Sequence, residues 1–124
     1  MYFEFLKEMF LEMTVKKRAE LIPHYYHEQF ILFTNGAQIT YEEFLKTHEE
    51  YYHTPIQYAV EYDEPTWLEE GNKIAGRMWI TTSRPNEKPT KLELILIAEY
   101  QQNKIYRLWE LTYPDWSQLP AFSE

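Results

Sequence analysis

The hydrophobic period of this chain changes once, and the change falls at Pro55. Before it, apolar residues recur every three to four positions; after it they alternate, and a helix-period pattern cannot serve as a strand. Tyr2, Phe5, Leu6, Met9, Phe10 and Met13 are separated by Glu4, Lys7, Glu8 and Glu12, which predicts an amphipathic helix with a wide apolar stripe. A short second helix is expected from Ala19 to about Tyr26, with Pro23 near its start. Phe30 to Thr34, FILFT, reads as a short buried strand closed by the turn pair Asn35-Gly36. Thr40 and Glu43 then form a capping-box signature, and Phe44, Leu45, His48, Tyr51 and Tyr52 follow on one side of a third helix.

Beyond Pro55 the strands are Ile56 to Tyr62, Lys73 to Thr82, Thr90 to Tyr100 and Lys104 to Thr112, with a bend at Pro65 and a turn over Glu69 to Asn72. The last three are long and joined by short loops, so they form an antiparallel meander. Helices first and sheet afterwards predicts an α+β fold with the helices packed on one face of the sheet. At 124 residues the chain is expected to be one domain, with residues 1–114 its core and 115–124 a tail lying against the body or across a partner.

Twelve basic against twenty acidic residues leave a net charge of −8. Such a surface repels phosphate backbones and anionic lipid, so neither nucleic acid nor a membrane is an expected partner. There is no cysteine, which removes disulfides and thiolate chemistry and fits the cytoplasm. The opening segment carries acids at positions 4, 8 and 12 and is not a signal peptide. Aromatics make up 18% of the chain, a share that suggests a cavity or an interface, although a tyrosine-rich core accounts for it equally.

Lys104 to Thr112, KIYRLWELT, alternates but has no polar face, so both of its sides need cover. The order of elements, with the strand–Asn35-Gly36–ITYEEFL stretch in the middle and NKIYRLWEL at the end, resembles the nuclear transport factor 2-like superfamily, nearest its SnoaL-like and ketosteroid-isomerase-like branch. The resemblance runs from Phe3 to about Pro114. It implies a cone-shaped, strongly curved antiparallel sheet around N-terminal helices, a pocket between them, and a homodimer through the convex face. In the register it implies, Met78, Ile80, Thr82, Leu94, Leu96, Tyr106, Leu108, Glu110 and Thr112 are concave. Trp79, Ile95, Ile97, Ile105, Trp109 and Leu111 are then convex, and a partner copy would cover Trp79, Ile95, Ile97 and Trp109. The isomerases' base falls on or next to Phe33 and their oxyanion pair near Met9 and Leu96. None of these can move a proton, so that mechanism does not carry over.

Glu110, a carboxylate set among large side chains, is the leading candidate for a general acid or base. Pairing with Arg77 or Arg107, or a place at a wet rim, would explain it without chemistry. His24 and His27, in HYYH, stand one helical turn apart; two ligands do not make a metal site, and no metal or cofactor is expected. Glu110 with His24 or His53 is the expected acid–base set. Tyr25, Phe33, Tyr52, Tyr58, Met78, Ile80, Leu96, Tyr106 and Leu108 are the expected lining for a small hydrophobic or aromatic ligand. Isomerisation, cyclisation or dehydration is the chemistry the resemblance implies; a non-catalytic carrier or interaction module is the alternative.

Overall fold

The two periods become two layers in the computed structural model, which describes residues 1–123; Glu124, the last residue of the expected tail, lies outside them. Helix α1 spans Tyr2–Met9 and continues through a π-helical turn, Phe10–Val15. Its wider winding is carried by the amide N–H groups of Lys16 and Arg18, which donate five residues back to the carbonyls of Leu11 and Met13. The buried stripe continues across the change of winding, with Leu6, Met9 and Met13 all at 1% exposure or less.

The expected second helix is split into a 3-10 turn, Ala19–Leu21, and α2, Ile22–Tyr25. Strand β1, Tyr26–Thr34, starts four residues earlier than the sequence indicated. The cause is tertiary: Tyr26 is drawn into the sheet opposite Ile105, which outweighs local helical preference. Asn35 and Gly36, both with positive φ (48° and 86°), make the tight turn to β2, Ala37–Thr40, a short strand that was not expected. Helix α3, Tyr41–Tyr52, begins at the anticipated capping box, in which Thr40 Oγ1 accepts from Glu43 N–H and Glu43 Oε1 accepts from Thr40 N–H.

Strands β3 (Gln57–Tyr62), β4 (Leu68–Glu70), β5 (Lys73–Ser83), β6 (Thr90–Gln101) and β7 (Lys104–Tyr113) follow, with a 3-10 turn, Glu64–Thr66, at the expected bend. The sheet order is β2-β1-β7-β6-β5-β3, with β4 also paired to β5. The β5–β6–β7 meander is antiparallel as expected. The sheet as a whole is not: β1 and β7 are parallel, so the curved, open sheet is mixed. No hairpin links β1 to β7; α3 and five strands intervene, and such a crossover leaves their direction unconstrained by a turn.

Alternation on β6 puts Leu92, Leu94, Leu96 and Ala98 inside and leaves Ile95 and Ile97 half-exposed outside. The expected register holds over most of β7 and fails at its start. Glu99 pairs with Arg107 while Tyr100 pairs with Ile105, so Tyr106 is an extra residue in a bulge. Ile105 therefore turns into the core at 1% exposure, and Tyr106 leaves the concave side to meet His27 edge-on, beneath the guanidinium of Arg107.

Trp67 ties α1 to the sheet. Its ring stacks on Phe3 at 4.8 Å and its indole N–H donates to the carbonyl of Arg77 at 2.8 Å. It lies so close over Gly76 that an added Cβ would meet the ring at 2.1 Å. After β7, a 3-10 turn (Trp116–Gln118) and α4 (Pro120–Ser123) fold the tail back, with Trp116 and Leu119 packed against the core. No helix among the described residues is long and apolar enough to cross a membrane.

Candidate functional site

A cavity of about 150 Å³ lies between the concave face of the sheet, the π-helical turn, α3 and the tail. That is room for a single ring rather than for a drug-sized molecule, whose pockets run from roughly 300 Å³ upward. Phe10, Met13, Leu32, Ile80, Leu94 and Leu108 give it apolar walls. The polar groups are Glu110, His48, the tyrosines of β1, α3 and β3, the indole of Trp116, and threonines at 14, 47, 82 and 112.

Glu110 sits near the end of β7, opposite Leu96 on one side and Thr34 on the other. Thr34 is 2% exposed and its hydroxyl donates to Glu110 Oε2 at 2.9 Å. The indole N–H of Trp116 in turn donates to Thr34 Oγ1, also at 2.9 Å. No cation pairs with Glu110 among the described residues. Arg77 is held by Asp63 and Glu93 at 2.8 and 2.7 Å, and Arg107 donates to the carbonyls of Gln29 and Tyr106. Burial disfavours the carboxylate and pushes the Glu110 carboxyl up to about 7, with the Thr34 bond pulling weakly the other way.

His48, on the inward side of α3, is shifted in the opposite sense. Burial lowers it to about 4, so its ring is neutral at physiological pH. Its Nδ1 lies 2.8 Å from the carbonyl of Phe44; since a carbonyl only accepts, Nδ1 carries the hydrogen and Nε2 keeps its lone pair. The ring is clamped between Phe44, 4.0 Å away, and the edge of Tyr52 at 5.4 Å. Tyr52 donates to Thr14 Oγ1 at 3.3 Å and is pushed up to about 12 by burial, so it stays protonated and can act only as a neutral hydroxyl. A protonatable acid and a neutral imidazole thus border one small apolar space.

No protein-family model matches the sequence, and no curated protein matches it. Solved structures do match. PrhC from Penicillium brasilianum superposes with a TM-score of 0.71 over 86% of this chain and 77% of its own, at 17% identity. An M. tuberculosis LEH-like epoxide hydrolase gives 0.72 over 89% and 83%, at 9% identity. Wild-type IdmH, described as a putative polyketide cyclase from Streptomyces antibioticus, gives 0.64 over 83% and 86%, at 11% identity. The chain has the nuclear transport factor 2-like fold.

Within the nuclear transport factor 2-like fold, the expected site residues separate. Glu110, Tyr52, Tyr58, Ile80 and Leu108 border the cavity together. Met78 and Leu96 share that concave face but lie buried in the core at 0% and 1% exposure, away from the cavity wall. Phe33 is on the outer face, stacked on Trp109, and Tyr106 is outside at the bulge. Tyr25 donates to Glu8 and stands edge-on to His24, both beside a separate surface groove. His53 caps the end of α3 with Nδ1 on the carbonyl of Glu49. HYYH does not form one helical turn, because β1 begins at Tyr26 between its two histidines. Among the described residues no group of three or more acidic, histidine or cysteine side chains could hold a metal.

His48, Thr34 and Trp116 were not anticipated in the site, nor were the walls Phe10, Met13 and Leu32. His48 carried a signal: it stands four residues after Phe44 on the apolar stripe of α3. Thr34 did too, sharing alternation parity with buried Phe30 and Leu32. Trp116 had none beyond its place in an aromatic tail, since nothing in the local sequence says which surface an extended segment will find.

Proposed function

We propose that the cavity binds a small molecule with one apolar or aromatic ring, and that Glu110 gives or takes a proton there without a cofactor. The observation that carries this reading is a half-buried carboxyl in an apolar cavity with no cation beside it among the described residues. A carboxyl that titrates near neutrality is half protonated at working pH and serves as acid or base. His48, neutral and with Nε2 unprotonated, is the partner that accepts a hydrogen bond or proton across the cavity, the role assigned from sequence to His24 or His53. Isomerisation, cyclisation and dehydration need only such a pair. The neighbours described as a putative polyketide cyclase and an epoxide hydrolase support small-molecule chemistry on this fold. The SnoaL-like branch and a cytoplasmic setting belong to the same reading.

Phenol, one ring with a hydroxyl that a carboxyl can engage, is the probe that tests it. Titration should give saturable NMR shifts at the methyls of Ile80, Leu94 and Leu108, weakened at least several-fold in Glu110→Gln. Shifts spread evenly over the surface, or identical binding by the variant, would overturn the reading.

A second reading has its own observation. Ile95, Ile97, Trp109 and Leu111 form an exposed apolar strip on the outer face at 51%, 44%, 36% and 65% exposure. This supports a homodimer through the convex sheet, either around a catalytic pocket or in a non-catalytic ligand-binding module.

A further inference from the structure

We propose that Thr34 and Trp116 are positioning residues for Glu110: together they direct the carboxyl's own proton to Oε1, which makes the C-terminal tail a working part of the site. This rests on reading Glu110 as the acid–base group. An indole N–H can only donate, so Trp116 occupies an acceptor side of Thr34 Oγ1. The Thr34 hydroxyl has a single hydrogen, and the acceptor set before it is Glu110 Oε2. Were the carboxyl's proton on Oε2, the threonine oxygen would receive two donors and its own hydrogen would have no partner in a buried place. Oε2 therefore accepts, and the acid's proton resides on Oε1.

Oε1 has no hydrogen-bond partner among the described residues. It is not sealed either, since the Tyr62 hydroxyl is the one buried side-chain N or O among them left without a partner. As Glu110 borders the cavity, its free oxygen faces whatever occupies that space. The indole is fixed from two sides. Asn35, in the turn after β1, donates to Thr112 Oγ1 and to Asp115 Oδ1, and the backbone N–H of Trp116 donates to Thr112 Oγ1. Phe122 holds the tail's far end, edge-on to both Trp116 and Tyr51 of α3. The docked tail and the oriented acid are one arrangement.

The other titratable groups around Glu110 do not obscure this. Tyr26 of β1, Tyr51 and Tyr52 of α3 and Tyr58 of β3 are all held above their ordinary range, and His48 is neutral above about 4. Neither the π-helical turn nor β5 and β6 contributes a charged side chain to the cavity. Asp115 is held below the usual carboxylate range by Ser117 and Asn35.

The test follows the Trp116 indole N–H resonance of the full chain from pH 3 to 9, beside the carboxyl carbon of Glu110. The indole should move with the midpoint of Glu110, and this movement should vanish in Glu110→Gln. In Thr34→Val the Glu110 midpoint should rise by about one unit, the scale of a lost hydrogen bond to a charged group, and the indole should cease to follow it. Thr34→Ser, which keeps the hydroxyl, should restore both. An indole that stays still while Glu110 titrates, or that follows it equally well in Thr34→Val, overturns the proposal. An ordinary midpoint near four for Glu110 would instead defeat the functional reading, and the positioning role would then be read at that midpoint.

Discussion

Phe33 and Trp109 are register partners across the parallel β1–β7 pair, and their rings stack on the outer face at 5.8 Å and 8°. The next pair along, Thr34 and Glu110, turns inward and meets by hydrogen bond. One step of strand alternation thus separates an aromatic patch on the outside from the acid of the cavity. The strip around Trp109 continues through Ile97 and Ile95 to Leu111, register partners on β6 and β7. Trp79 differs, because the cations of Arg77 and Lys91 stand over its ring and partly cover it. A dimer through this face should centre on Trp109 and Ile97 rather than on Trp79. Sedimentation at micromolar concentration should give a dimer for the parent chain and a monomer of unchanged circular dichroism for Trp109→Glu. A parent chain that sediments as a monomer contradicts the proposed partner.

Gly76 is the position where a methyl group cannot be accommodated. The atoms it would strike belong to the indole of Trp67, which is itself stacked on Phe3 and bonded to the Arg77 carbonyl. Gly76→Ala should lower stability by about 2 kcal/mol, the scale of an overpacked core. Urea denaturation measures it. In a Trp67→Ala background the same substitution should cost much less, since the two sites share one contact.

Thr40→Ala should cost about 1 kcal/mol, because it leaves the Glu43 N–H at the start of α3 without its acceptor. Thr40→Ser should restore most of that. The same denaturation midpoints report both, and an unchanged midpoint for Thr40→Ala would mean that water replaces the cap without loss.

The capping box shows what kind of feature is legible in sequence: one whose partners are three residues apart. Alternation on β5 to β7 is equally local, and it placed Glu110 and Leu108 on the concave face with Ile95 and Trp109 opposite. The bulge at Tyr106 is not local. It follows from how β7 must meet β6 on one side and β1 on the other, and it reversed the faces of Ile105 and Tyr106 alone. The same holds for His24. Its motif spacing assumed a helix that β1 interrupts at Tyr26, where pairing with Ile105 prevails. Trp116 reaches Thr34 across 82 residues, a contact that only the folded tail creates.

The opposed shifts of Glu110 and His48 predict a pH dependence that single variants unmask. Glu110 rises from an ordinary 4.5 to about 7, so between these values the folded chain binds more protons than the unfolded one. Its contribution is fully present below about pH 4.5 and is lost as pH rises through 7, by up to about 3 kcal/mol. His48 falls from 6.5 to about 4, so over that range the unfolded chain binds more protons. Its contribution is present above pH 6.5 and is lost as pH falls through 4, by a similar amount of about 3 kcal/mol. From pH 4.5 to 6.5 the two slopes oppose each other and largely cancel. Glu110→Gln should leave the histidine slope exposed, with stability climbing relative to the parent chain as pH rises from 4.5 to 7. His48→Gln should expose the opposite slope, with stability declining relative to the parent as pH rises from 4 to 6.5. Chemical denaturation of the three proteins across this range reads both differences, and differences that are flat with pH would mean that neither side chain is buried as the cavity requires.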